Sequence, residues 1–337
     1  IYALARGYPG TELLIYIGAT MTVFPIFYAV IENDLRRVLG YSMINQIGFM
    51  VVGIGIGTDL ALNGAVSHAF NEVIFKGLLF MTMGAVLLRA GTVKGSALGG
   101  LYKTMPKTAV LCMVGAASIS AFPLFSGFVS KSMVMAAVLD EGHEWIWFAM
   151  LFASAGVFHH AGIKIPFFAF FAHDSGIRTS EPPFNMMLAM GLAAAACIFL
   201  GSYPAFLYSL LPWPVGYAPY TYSHVMLQLQ LLLFSALAFV WLKRTGIYPP
   251  ELRSVNLDVE WVYRWAAPRA ARRILGNVSY MVASFGDNVR EITAPLIDRL
   301  FRPNGTLARI LPTGATTFWA AAVLAGFLVL YLFSGGR

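Results

Sequence analysis

The chain has 337 residues, 58% of them hydrophobic and only 12% charged, with a formal net charge of +7 and a mean hydropathy of +0.70. Soluble domains carry about 25% charged residues, so that class is excluded. Several apolar runs of about twenty residues define an all-α polytopic membrane protein. Cys112 and Cys197 lie inside apolar runs without metal-ligand spacing, so neither a metal site nor a disulfide is expected.

Eight spans are predicted. The first runs from about Glu12 to Ile31, and the second from the charged turn Asp34-Leu35-Arg36-Arg37 to about Gly57. The third is the long stretch Asp59 to Gly91. The fourth, about Thr108 to Leu139, is interrupted by AFPLFSGF at Ala121 to Phe128. The fifth covers Glu144 to Ala172, the sixth Phe184 to Gly201, the seventh Tyr222 to Leu242 and the eighth Thr316 to Phe333. If the spans alternate, eighteen Lys and Arg residues fall on one side and only Arg6 and Arg337 on the other. By the positive-inside rule the basic side is cytoplasmic and the C-terminus faces outward. Charge distributed this way answers to a membrane, not to nucleic acid.

Between the last two spans, apolar residues recur at Ile274, Val278, Met281, Val282, Phe285, Val289, Ile292, Leu296 and Leu300. Steps of three and four mark an amphipathic helix, with Pro268 near its start and a kink expected at Pro295. Its arginines suit a cytoplasmic membrane surface with anionic lipid; packing on a protein face is the alternative.

The chemistry concentrates in the middle spans. His68, Glu72 and Lys76 sit at i, i+4 and i+8 of the third, each turned about 40° from the last, so they share one helix face. A charge facing lipid there would cost several kcal/mol, so the face meets protein or water. Either an ion path or a satisfied polar cluster fits. In the fourth span, Pro123, Ser126 and Gly127 break the apolar run and Lys131 follows. Such breaks free backbone groups and build ion sites in transporters. The fifth span adds His159, His160 and Lys164. The two histidines point about 100° apart, so one at most lines a shared path, while Lys164 either joins that path or snorkels to the surface. Buried lysines and histidines linked by water can pass protons in hops. Lys76 and Lys131 are the expected storage sites, with His68 and Glu72 as connectors. Gly53-Ile-Gly55-Ile-Gly57 ends a span and no strand precedes it, so it reads as a helix terminus or packing surface, not a phosphate loop. No cofactor motif or catalytic constellation is present, and no bond chemistry is expected of the chain itself.

Three stretches, DLRRVLGYSMINQIGFMVVGIGIG, HAFNEVIFKGLLFMTMGAVL and ISAFPLFSGFVSKSM, resemble the proton-conducting membrane transporters. These are the antiporter-like subunits of respiratory complex I and of Mrp-type cation/proton antiporters. The resemblance covers Ile1 to about Pro204; the tail is similar, more weakly, to the end of the largest complex I antiporter-like subunit, with its lateral helix. It implies an inverted repeat of five-helix units, each with a broken helix, and a lysine-rich axis along the membrane centre. Matched residue by residue, Lys76 and Lys131 are axis lysines, and His68 is the connecting histidine. Arg36 stands where the family has a lysine, and Glu72 where many members have a second histidine. The resemblance further implies a C-terminal portion of a longer subunit holding one half-channel: a bundle at 1–205, a further helix at 206–242, a cytoplasmic-side segment at 243–311 and a final helix at 312–337. It implies proton translocation, with Na⁺ as a second candidate ion, among other membrane subunits of a complex in a bacterial inner membrane. A non-conducting scaffold, or a subunit serving inorganic carbon uptake or hydrogen evolution, are the alternatives.

Overall fold

A computed structural model describes residues 1–249, 251–252, 256, 259–302 and 313–334. The chain forms two compact units, Ile1–Asn256 and Leu257–Arg337.

The first unit is a helical bundle. A short helix α1 (Tyr2–Gly7) precedes α2 (Glu12–Ile31), α3 (Leu35–Ile56) and α4 (Asp59–Ala90). Their ends are set locally. Asp34 caps α3 by accepting from the backbone N–H of Arg36 and Arg37, Thr58 caps α4 by accepting from Ala61, and Gly57 and Gly91 close the two helices in left-handed conformation. α3 meets α2 and α4 at backbone contact. A Cβ on Gly55 would lie 2.7 Å from the Ile15 nitrogen, and one on Gly53 2.9 Å from the Ala61 carbonyl oxygen. The Gly53–Gly57 run is therefore both a packing surface and a terminus, as its sequence suggested.

The predicted broken span is two half-helices, α5 (Pro106–Ile119) and α6 (Ser126–Asp140), each too short to cross a bilayer alone. The break spans 120–125, narrower than the predicted 121–128, because Ser126, Gly127 and Phe128 already lie in α6. Within it Ala121 and Leu124 hold positive φ of 56° and 73°, a conformation that costs a non-glycine residue about 1 kcal/mol or more. Surrounding bonds hold it there: Tyr220 donates to the Gly201 carbonyl and accepts from the Leu124 N–H, and Gln228 donates to the Ser120 carbonyl at 3.0 Å.

Next comes α7 (Glu144–Val157), which continues as π-helical turns at Phe158–Lys164 and Phe167–Phe171. Then follow α8 (Phe184–Ser202), α9 (Pro204–Tyr208) and α10 (Tyr222–Arg244). The largest apolar core gathers Leu35, Leu39, Phe75, Leu79, Met105, Cys112, Ile165 and Phe170 from α3, α4, α5 and the π-helical turns. In the second unit are α11 (Val259–Trp261), α12 (Ala267–Phe301) and α13 (Thr313–Ser334). Pro268 starts α12 as expected, and Pro295 lies inside the helix. Seven described helices are long and apolar enough to cross a membrane; with the α5–α6 pair they match the eight predicted spans. Among the described residues no strand forms. The protein is an all-α multi-pass membrane protein.

Candidate functional site

α4 carries His68, Glu72 and Lys76 on one face, and all three are buried. What surrounds them is polar. The His68 ring spans two helices, with Nδ1 3.0 Å from the Ser130 hydroxyl on α6 and Nε2 3.0 Å from the Gln46 side-chain oxygen on α3. Gln46 in turn donates to Asn45 Oδ1 at 2.7 Å, and Asn45 donates to the Thr22 carbonyl of α2. A continuous hydrogen-bonded file thus crosses α2, α3, α4 and α6. With Gln46 presenting its oxygen, His68 carries its proton on Nε2 and accepts from Ser130 at Nδ1.

The two predicted storage lysines are both buried. Lys76 Nζ donates to the Ser42 hydroxyl at 2.9 Å and lies 3.9 Å from Glu72 Oε1, a loose ion pair. Lys131 Nζ donates to the Ile119 carbonyl at 3.3 Å and sits 5.0 Å from the centre of the Phe49 ring. Ile119 ends α5, so the ammonium of one half-helix meets the negative carbonyl end of the other. This is what the break accomplishes. It turns an unsatisfied helix terminus into a cation site at mid-bundle. Gly127 makes the approach fit, because a Cβ there would run into the Ser118 carbonyl oxygen.

The remaining sequence candidates separate. Lys164 does not snorkel. It is fully buried and donates to the carbonyls of Val30 at 2.6 Å and Glu32 at 2.7 Å, closing the end of α2. Its ion partner is Glu251 Oε1 at 2.9 Å. His159 packs its ring on Phe239 and Tyr248, whereas His160 is fully buried, with Lys76 and Lys164 near enough to act on it electrostatically. Of the two histidines, His160 faces inward. Arg36 is exposed at the start of α3, and the structure does not bring it to the others. Sequence reasoning missed Ser42, Asn45, Gln46, Asn71 and Ser130. Ser42, Asn45 and Gln46 recur at helical spacing within α3, a neutral polar stripe that marks the same face.

A cleft of about 460 Å³ opens beside the site, walled by Met43, Ile47, Met50 and Val73 with Glu72 and Lys76 at its floor. Amines, an imidazole and hydroxyls at hydrogen-bond spacing suit proton transfer.

Residues 7–158 match the family "NADH:quinone oxidoreductase/Mrp antiporter, TM", the stretch that holds the motifs on which the sequence resemblance rests. The chain is 34% identical over 228 residues to an Na⁺/H⁺ antiporter subunit of Alkalihalophilus pseudofirmus, covering 62% of this chain and 45% of that protein. It is 30% identical over 212 residues to hydrogenase-4 component B of Escherichia coli, covering 56% of this chain and 31% of that protein. The fold matches the Mrp complex of a Dietzia species with a TM-score of 0.64 and 25% identity, over 85% of this chain and 34% of that one. The chain therefore spans less than half the length of these relatives.

Proposed function

We propose that the chain conducts protons as part of an antiporter-like subunit in a multisubunit membrane complex. Lys131 and Lys76 store the proton, and His68 and Glu72 bridge between them. The observation that carries this reading is the burial of Lys131 against the α5 carbonyl end at the helix break, where a fixed negative dipole and a movable proton share one place. The family match of residues 7–158 and the likeness to an Na⁺/H⁺ antiporter subunit support it. On this reading 1–205 is the antiporter-like bundle, 206–242 a further membrane helix, 243–311 a cytoplasmic-side segment, and 312–337 a final helix ending outside a bacterial inner membrane. Neighbouring membrane subunits and lipid are its partners, and Na⁺ is the alternative coupled ion.

The test uses the full-length subunit assembled with its partners in proteoliposomes. A pH-sensitive dye reports proton flux with and without Na⁺. Lys76→Met is expected to cut the flux at least tenfold while the complex still assembles, and a flux unchanged from wild type would overturn the assignment of Lys76. A wild-type signal that requires Na⁺ names the coupled ion.

A further inference from the structure

Away from the Lys76–Lys131 site, Glu251 pairs with the buried Lys164 ammonium, and the Glu32 carboxylate lies within electrostatic reach of both. Glu32, at the end of α2, is 3% exposed, and its Oε2 has no hydrogen-bond partner among the described residues; its Oε1 accepts the Asp34 N–H at 3.0 Å. Glu251 reaches in from the segment after α10. Its side chain is 6% exposed where it pairs with Lys164, and its Oε2 is likewise unpartnered. That segment is anchored on both sides of Glu251. Tyr248 is buried among the rings of His159, Phe168 and Phe239, and Asn256 donates to the Ile31 carbonyl at 3.2 Å.

The charges do not cancel. Three carbonyls and a carboxylate surround Lys164, a setting that suits its ammonium form, and against one ammonium the two carboxylates leave one negative charge in excess. Lys243 lies nearby, but it is exposed and spreads its charge over the rings of Phe168 and Tyr248. An excess buried carboxylate takes up a proton. Burial pushes the Glu251 carboxyl above the usual range, against the opposing pull of Lys164. Four residues before Lys164 lies His160, fully buried, with neither ring nitrogen in a hydrogen bond of ordinary geometry, and within electrostatic reach of both Lys164 and Lys76. π-helical turns like the one carrying His160 recur at functional sites.

We propose that Glu32, Glu251 and Lys164, joined to Lys76 through His160, form the mouth of the proton path on the side of the basic loops. Glu251 accepts the proton, Lys164 holds that carboxylate in place as a counter-ion while binding the Glu32 carbonyl, and His160 relays the proton through water to Lys76. This rests on the proposed proton path and adds its opening.

The test compares wild type, Glu251→Gln and the double variant Lys164→Gln/Glu251→Gln in the assembled complex, varying pH only on the side of the basic loops. Glu251→Gln should slow translocation at least tenfold and flatten its dependence on pH at that side. The double variant removes the unpaired buried lysine that the single one leaves, so it separates a proton acceptor from a mere counter-ion: it should stay slow. Wild-type rates in the double variant, or a wild-type pH profile in the single one, overturn the mouth. Lys131→Ala run in parallel reports on the path itself. If it is silent while Glu251→Gln behaves as wild type, the path stands and the mouth falls. If it conducts as wild type, the path falls and the mouth with it.

Discussion

A lysine buried in a membrane bundle needs partners, and the three in this chain find different ones. Lys164 is saturated by carbonyls and Glu251, as suits the counter-ion role proposed for it. Lys76 has one hydroxyl and a carboxylate 3.9 Å away, and Lys131 has one carbonyl at 3.3 Å. The two sparsely held amines are the ones proposed to store the proton. His68 is held more firmly, by Gln46 and Ser130, and its removal leaves the Gln46 oxygen unpaired and Ser130 with only the Ser126 carbonyl at 3.4 Å. Such an orphan costs about 1–3 kcal/mol, so His68→Leu should lower the unfolding temperature of the detergent-solubilised complex by several degrees as well as slow conduction. His68→Gln, which can re-form one of the two bonds, should recover part of the stability. Equal unfolding temperatures for His68→Leu and wild type would show that the file carries no structural weight.

At the scale of elements, the sequence spoke clearly wherever the signal was an ionisable residue in an apolar run. The i, i+4, i+8 spacing placed His68, Glu72 and Lys76 on one buried face, and the Pro/Gly break before Lys131 is the break observed. It was silent about Gln46, Ser42 and Asn45, because neutral polar residues are common in membrane helices and only their neighbours reveal a file. Adjacent histidines cannot be ranked by spacing alone; the π-helical turn at Phe158–Lys164 decides that His160 faces inward. Glu251 was illegible for a different reason, since its partner Lys164 is distant in sequence and no local pattern links them. The loop from α7 to α8 shows a second such long-range anchor. Asp174 binds Arg178 at 2.7 and 2.8 Å and Lys103 at 2.7 Å. The Arg178 guanidinium first, and Lys103 second, hold its carboxyl well below the usual carboxylate range. A lowered folded value means the anchor is present above the ordinary carboxylate pKa and is lost only as pH falls through the folded one. Hydrogen exchange of the amides at 174–176 should therefore keep the same protection from pH 8 to pH 5, after correction for intrinsic rate. Asp174→Asn should lower that protection throughout this range. Loss of protection in wild type between pH 6 and pH 5 would contradict the arrangement.

Within residues 1–256, alternation of the spans would put the loops that carry Arg36, Arg89 and Lys103, the Asp174 cluster and Glu251 at one end, and the acidic turn Asp140–Glu144 at the other. The proposed sidedness predicts that a cysteine at position 176 reacts with an impermeant thiol reagent only from the cytoplasmic side, and one at position 142 only from outside. Labelling of both from one side would break the topology. Lys131 is central to the proposed path, its amine joining the two halves of the broken helix at the Ile119 carbonyl. The most direct measurement is proton flux through the assembled complex in proteoliposomes, comparing wild type with Lys131→Ala. Wild type should acidify or alkalinise the lumen, and Lys131→Ala, assembled to the same extent, should give no response above empty vesicles. Wild-type flux from Lys131→Ala would contradict the account.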